Sequence, residues 1–387
     1  MSFRVPILAS LVVCSALAAS PAAAEKLRLV SDVPALEGRQ VQRPVWGPGA
    51  QPQLVHEITD RSRLTWLRVI RVTGATISDE LVPGSRSSRM ESLGAAADRA
   101  DSGAAWWDAS SFFFVRSVGG SSSLFYFDGI PREVPGLSGR VGEVRSDSSR
   151  QRLFATIESE GVDVYRLSGK GFAEERVQLS QSPGVVENSL AVSREDGGIF
   201  WISATPSGTR LGGAAPAEPA AVRERLTADR LHLYELISMV VLPGAEGMVA
   251  YARVPAGVKD PELESHVMIH LSTPMDGRCQ LTELVRNVYV PPGLPPRPAY
   301  SDGGRVLYYV AESAEQSNPV MRLDRATGKS TRLDLATHGH QEVAVWEYTH
   351  SGDKVVPWIA VVSVGDGEGE DVRNHLYVGP LGDWPDW

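Results

Sequence analysis

The 387-residue sequence predicts an all-β fold: a closed β-propeller of about seven four-stranded blades, with six as the alternative count. Three observations carry that expectation. A two-strand motif, clearest at 298–310 (PAYSDGGRVLYYV), returns along the chain roughly every fifty residues. Each period holds three or four short runs rich in β-branched and aromatic residues, and no stretch reads as a long helix. A lone strand near the N-terminus matches a missing fourth strand in the last period.

In chain order, residues 1–24 come first. Arg4, an apolar run over 5–18 and Ala22-Ala23-Ala24 form the pattern of a secretory signal peptide cleaved before Glu25. The apolar run is short for a membrane span, and Val13 stands before Cys14 where a lipoprotein would carry a small residue. The expectation is therefore one β-propeller domain over 25–387, periplasmic or secreted, with no transmembrane segment in the mature chain. Cys279 is then the only cysteine, so no intramolecular disulfide can form, and a buried small hydrophobe is its reading.

The motif is tracked by its opening residue: Trp46, Trp107, Arg145, Val192, Leu242, Tyr300 and Tyr348, at spacings of 38 to 61. Third strands are expected at 123–128, 162–167, 266–271, 320–323 and 375–378, and short fourth strands at 176–179 and 330–335. The last period lacks a fourth strand, whereas 26–30 (KLRLV) has no partner; the N-terminal strand is expected to complete the last blade. One blade cannot cover both its faces, so its neighbours must, and ring closure removes the exposed ends. Trp46, Trp107 and Tyr300 are read as packing between blades. The segments 76–103, 207–230, 254–265 and 290–298 break the period. Of these, 207–230 reads as a flexible Ala/Pro-rich loop with a short helix over 221–230, and 290–298 as an extended proline-rich connection.

The order of an opening aromatic, Ser-Asp-Gly-Gly turn and aromatic strand in PAYSDGGRVLYYV resembles the TolB-type β-propeller repeat family, and EVRSDSSRQRLFATI is a second match. Other copies are degenerate, with Gly47-Pro48-Gly49 and Pro243-Gly244 in place of the turn. The resemblance covers nearly all of the mature chain and implies fold, not activity. The short stretch between Glu25 and Trp46 leaves no place for the α/β domain that precedes the propeller in TolB, so the lipoprotein-binding role is not implied.

Chemical motifs are few. A formal charge of −9 argues against a nucleic-acid partner, which needs a basic face. The sequence holds no G-x-S-x-G elbow, no C-x-x-C-H and no H-E-x-x-H. The acidic run 366–371 reads as a solvated hairpin tip. His338, His340 and Gln341 are the weak metal candidates: two imidazoles flank Gly339 and could share one ion, with Gln341 completing the shell. A surface loop is the plainer reading. The functional expectation is an exported, non-catalytic propeller without a cofactor, acting as an interaction scaffold for a protein partner in the cell envelope. The second reading is a metal-dependent or saccharide-acting, lyase-like enzyme using the channel, since some propeller lyases hold a metal with His and Gln there.

Overall fold

The computed structural model describes residues 27–32, 40–60, 64–74, 76–85, 99–137, 140–158, 160–172, 174–181, 183–193, 195–215, 222–244, 246–254, 265–291, 296–314, 317–335, 337, 339–349, 355–364 and 374–381. Strands dominate, and no α-helix occurs among these residues. Residues 1–24, expected to be a signal peptide, His338 and the acidic run 366–371 lie outside them.

The strands group by antiparallel pairing into seven four-stranded units. Unit 1 comprises Gln40–Trp46, Gln53–Thr59, Thr65–Thr73 and Thr76–Leu81. Unit 2 comprises Arg99–Trp106, Phe112–Val118, Ser121–Phe127 and Pro131–Glu133. Unit 3 runs Arg140–Asp147, Arg152–Glu158, Val162–Ser168 and Glu175–Gln178. Unit 4 runs Val186–Val192, Ile199–Thr205, Gly208–Ala214 and Val222–Ala228. Unit 5 has Glu235–Val241, Met248–Val254, Ser265–Leu271 and Leu281–Arg286. Unit 6 has Ala299–Ser301, Val306–Val310, Val320–Asp324 and Lys329–Arg332. Unit 7 takes His340–Thr349, Val355–Val364 and Asn374–Pro380 from the end of the chain, and Arg28–Asp32 from its start. That last pairing is antiparallel, with Arg28 opposite Val378 and Asp32 opposite His375. The N-terminal strand thus pairs with the last strand of the chain's final unit.

Each opening residue of the motif falls at or near the end of its unit's first strand, as expected for a repeat read in register. Two expectations change. The segment 221–230 is not a helix: Val222–Ala228 is the outer strand of unit 4, paired antiparallel with Gly208–Ala214. Pairing satisfies a row of backbone groups that a short isolated helix would leave open at both ends. The long first spacing likewise holds the outer strand Thr76–Leu81 ahead of residues 86–98, which are outside the described set.

Apolar packing follows the same order. Seven clusters of buried side chains occur among the described residues, and each is shared by two units consecutive in the chain or by the last and the first. Val69 and Phe112 meet between units 1 and 2, and Phe113 and Leu153 between 2 and 3. Phe154 and Trp201 join 3 to 4, Ile202 and Met248 join 4 to 5, Tyr251 and Leu307 join 5 to 6, and Tyr308 and Ile359 join 6 to 7. The seventh cluster sets Leu54 and Ile70 of unit 1 against Trp358 and Val378 of unit 7. Trp46 stacks on Trp346 at this contact, ring centroids 6.0 Å apart. Trp107 and Tyr300 pack beside the 2–3 and 5–6 clusters. All three opening aromatics lie between units.

Candidate functional site

The first strand of each unit is where the units approach one another, and in six of the seven it is interrupted by a β-bulge. The bulges lie between Gln42 and Val45, Ser102 and Ala105, Val141 and Val144, Asn188 and Ala191, Leu236 and Ser238, and His340 and Glu342. A bulge frees backbone N–H groups from the ladder and re-aims side chains. Here the freed groups are taken up by a neighbouring unit. Glu342 Oε2 accepts from Arg43 N at 2.8 Å, Glu57 Oε1 from Gly103 N at 2.8 Å and Glu143 Oε2 from Leu190 N at 3.0 Å. Ser189 Oγ accepts from Met239 N at 3.0 Å, and Ser238 Oγ donates to Pro296 O at 2.6 Å.

Arg297, just ahead of the short first strand of unit 6, reaches furthest. Its Nη2 donates to Leu190 O at 2.7 Å and to Glu143 Oε1, and its Nη1 to Met239 O at 3.4 Å. Glu143 belongs to unit 3, which neighbours unit 6 on neither side. The contact therefore lies at the centre, where first strands from opposite units converge.

A charged cluster collects at that centre. Arg145 Nη2 stands 2.6 Å from Glu143 Oε1, the oxygen that also pairs with Arg297. Arg43 is within range to repel both guanidiniums, and its own Nη1 lies 3.5 Å from Glu57 Oε1. Side-chain exposure is 26% for Arg43, 22% for Arg145 and 30% for Arg297, so water reaches all three.

The electrostatics follow from this crowding. Burial pushes the Arg145 guanidinium down to about 9, aided by Arg297 and opposed by Glu143; it stays charged at neutral pH. Burial also lowers Arg297, with Glu143 opposing. Burial would raise Glu143, but Arg145, Arg297 and the Leu190 N–H outweigh it and hold the carboxyl below its usual range. Glu342 goes the other way. Burial raises it to about 7, against the Arg43 N–H and charge, with Glu57 adding repulsion.

Comparison with solved structures places the chain among propeller-type proteins. An oligogalacturonate lyase in complex with manganese overlaps it with a TM-score of 0.55 at 10% identity, over 93% of this chain and 98% of that one. Prolyl oligopeptidase B from Galerina marginata overlaps with a TM-score of 0.50 at 10% identity, over 84% of this chain and 46% of that one, so this chain spans under half of the enzyme. TolB from Acinetobacter baumannii gives a TM-score of 0.39 at 12% identity, over 88% and 80%. No protein-family model matches the sequence, and no curated protein matches it significantly. The likeness is one of fold.

The metal candidates are placed in part. His340 is buried; its Nδ1 lies 2.8 Å from Asn318 O and its Nε2 2.9 Å from Thr337 Oγ1, so both ring nitrogens are in hydrogen bonds. The carbonyl can only accept, which puts the proton on Nδ1. Gln341 Oε1 accepts from Asn374 Nδ2 at 3.1 Å, and His338 is outside the described residues. Among the described residues no three His, Cys, Asp or Glu side chains converge as a metal site would require. Cys279 is buried and its thiol is pushed up to about 11 by that burial, as a small hydrophobe would be.

The sequence reading passes over Arg43, Glu143, Arg297 and Glu342. One signal was present: Arg43 and Arg297 each stand three residues before an opening aromatic, Trp46 and Tyr300. A groove of about 300 Å³ lies elsewhere, between units 1 and 2, lined by Val69, Arg71, Leu81, Phe127 and Asp128.

Proposed function

We propose that the mature chain, 25–387 after loss of a signal peptide over 1–24, is a single closed seven-bladed β-propeller. Its proposed role is that of a non-catalytic binding scaffold for a protein partner in the cell envelope. Ring closure is supported by the apolar cluster between units 7 and 1 and by the pairing of Arg28–Asp32 with Asn374–Pro380. Export is supported by the pattern of the first 24 residues. No helix among the described residues is long and apolar enough to cross a membrane.

One observation carries the non-catalytic reading. The central carboxylates Glu57, Glu143 and Glu342 each hold a backbone N–H of another unit, so their first task is to join units. A general base must instead be within reach of a substrate proton. The test has two arms. Cross-linking in the intact envelope should capture one defined partner, and oligogalacturonate, with and without manganese, should yield no unsaturated product. Product release would overturn the scaffold reading.

A second reading rests on Glu342. A carboxyl raised to about 7 beside an arginine, in an accessible cluster, is poised for proton transfer, which favours a lyase-like enzyme acting on an acidic saccharide. Turnover abolished by Glu342→Gln would establish that reading.

A further inference from the structure

We propose that the centre of the molecule binds a small monocarboxylate between the guanidiniums of Arg43, Arg145 and Arg297. The assignment is independent of whether the protein is a scaffold or an enzyme. It rests first on how the three arginines are partnered. Arg145 and Arg297 share one carboxylate oxygen, Glu143 Oε1, and Arg297 also donates to two backbone carbonyls. Arg43 differs. Its guanidinium donates no hydrogen bond to any described residue, and its sole ion pair there is the 3.5 Å approach to Glu57, too long for a hydrogen bond. Glu57 Oε1 meanwhile accepts from Gly103 N. A guanidinium has five N–H donors in a planar fork, and those of Arg43 are open to water and to an anion arriving from solvent.

The backbone gives the second argument. Arg43 sits in the unit 1 bulge at φ 53°, where unit 2 has Gly103 at 66°. Glycine adopts that region freely; an arginine there pays steric strain. The strained conformation turns Arg43 toward the centre while its N–H holds Glu342. Charge gives the third. Three guanidiniums face the carboxylates of Glu57 and Glu143, while Glu342 is half-protonated near neutral pH. The excess is about half a positive charge near neutral pH and approaches one as Glu342 takes up its proton, so the anion it balances is a monoanion. Carboxylate geometry also matches the guanidinium fork. The partial exposure of the three side chains gives entry to a small acid from solvent.

The experiment is calorimetric titration of the mature protein with acetate and with gluconate, at constant ionic strength held with chloride, beside inorganic phosphate. The expected result is saturable one-to-one carboxylate binding. Arg43→Gln should weaken it roughly ten- to a hundredfold, the loss of a charge-assisted hydrogen-bond pair, with Arg43→Lys in between. Arg43→Gln also takes the ion-pair partner of the buried Glu57 carboxylate, so the melting temperature should fall, and binding is compared well below it, where both proteins are folded. A second measurement does not depend on that variant. Carboxylate affinity should fall as pH rises past about 7, where Glu342, facing Arg43, Glu57 and Tyr251, gains its charge, and Glu342→Gln should flatten the profile. Absence of saturable binding, equal binding by Arg43→Gln, or tighter binding of phosphate would overturn the assignment. Saccharide turnover would defeat the scaffold reading and leave this one standing.

Discussion

A single methyl group at Gly212 has nowhere to go. A Cβ there would stand 2.4 Å from the indole of Trp201, which is fully buried between units 3 and 4. Gly212→Ala should therefore destabilise the fold by about 1–3 kcal/mol, the usual cost of overpacking. Equal urea midpoints for variant and wild type would mean that Trp201 moves aside freely. Glu342 makes the complementary case for charge. Its folded value of about 7 lies above the ordinary 4.5, so the folded state holds the proton more tightly than the unfolded chain. The resulting stabilisation is full below about 4.5, is lost as pH climbs toward 7, and is flat beyond. Glu143, held below its ordinary value, acts in the opposite sense: its contribution is present above the ordinary value and is lost on acidification. Glu342→Gln keeps an acceptor for Arg43 N yet carries no charge. It should gain on wild type by on the order of 1–3 kcal/mol between about pH 5 and pH 8. Parallel stability profiles of the two proteins over that range would show that Glu342 does not titrate there.

Among the elements, the strand Arg28–Asp32 has the largest effect for its size. It is the fourth strand of unit 7, and without it Asn374–Pro380 presents a row of open backbone groups. Deleting 28–32 should lower the melting temperature and produce oligomers by edge pairing, whereas trimming 382–387 should do neither. A monomeric deletion variant with an unchanged melt would place the closing contact elsewhere. This strand was legible in the sequence because alternating charged and apolar residues (Lys26, Leu27, Arg28, Leu29) stood without a partner near one end while the other end lacked a strand. The two-strand motif was legible for a related reason: opening aromatics and Gly-rich turns answer to local physics. Val222–Ala228 was not, since VRERLTA suits a helix as readily as a strand and only the ladder with Gly208–Ala214 decides. Gly212-Gly213 likewise reads as a loop until the ring of Trp201 across the pair explains it. The central cluster was least legible of all. Arg43 and Arg297 are far apart in the chain and meet only because the units curve round, which no local pattern records.

For the whole molecule, the sharing of every apolar cluster between two units makes stability collective. Among the described residues no unit has a core of its own, so none should survive alone. The protein is expected to melt in one calorimetric transition. Trp358→Ala, which empties a fully buried site between units 7 and 1, should lower that transition by about 3–5 kcal/mol without splitting it. Two separated transitions, or a stable proteolytic half, would show independent cores instead.

The seam between the two ends of the chain also fixes a timetable. Arg28–Asp32 is made long before its partner Asn374–Pro380. Until Asn374–Pro380 emerges that strand has no place to bind, and contacts between distant parts of a chain are slow to form. A polypeptide cut short anywhere before 374 would keep two unmatched edges, its own first strand and the lip of Val355–Val364 or whatever strand came last. The seam thus ties two strands made far apart in time, and both edges are covered only once Asn374–Pro380 has been added.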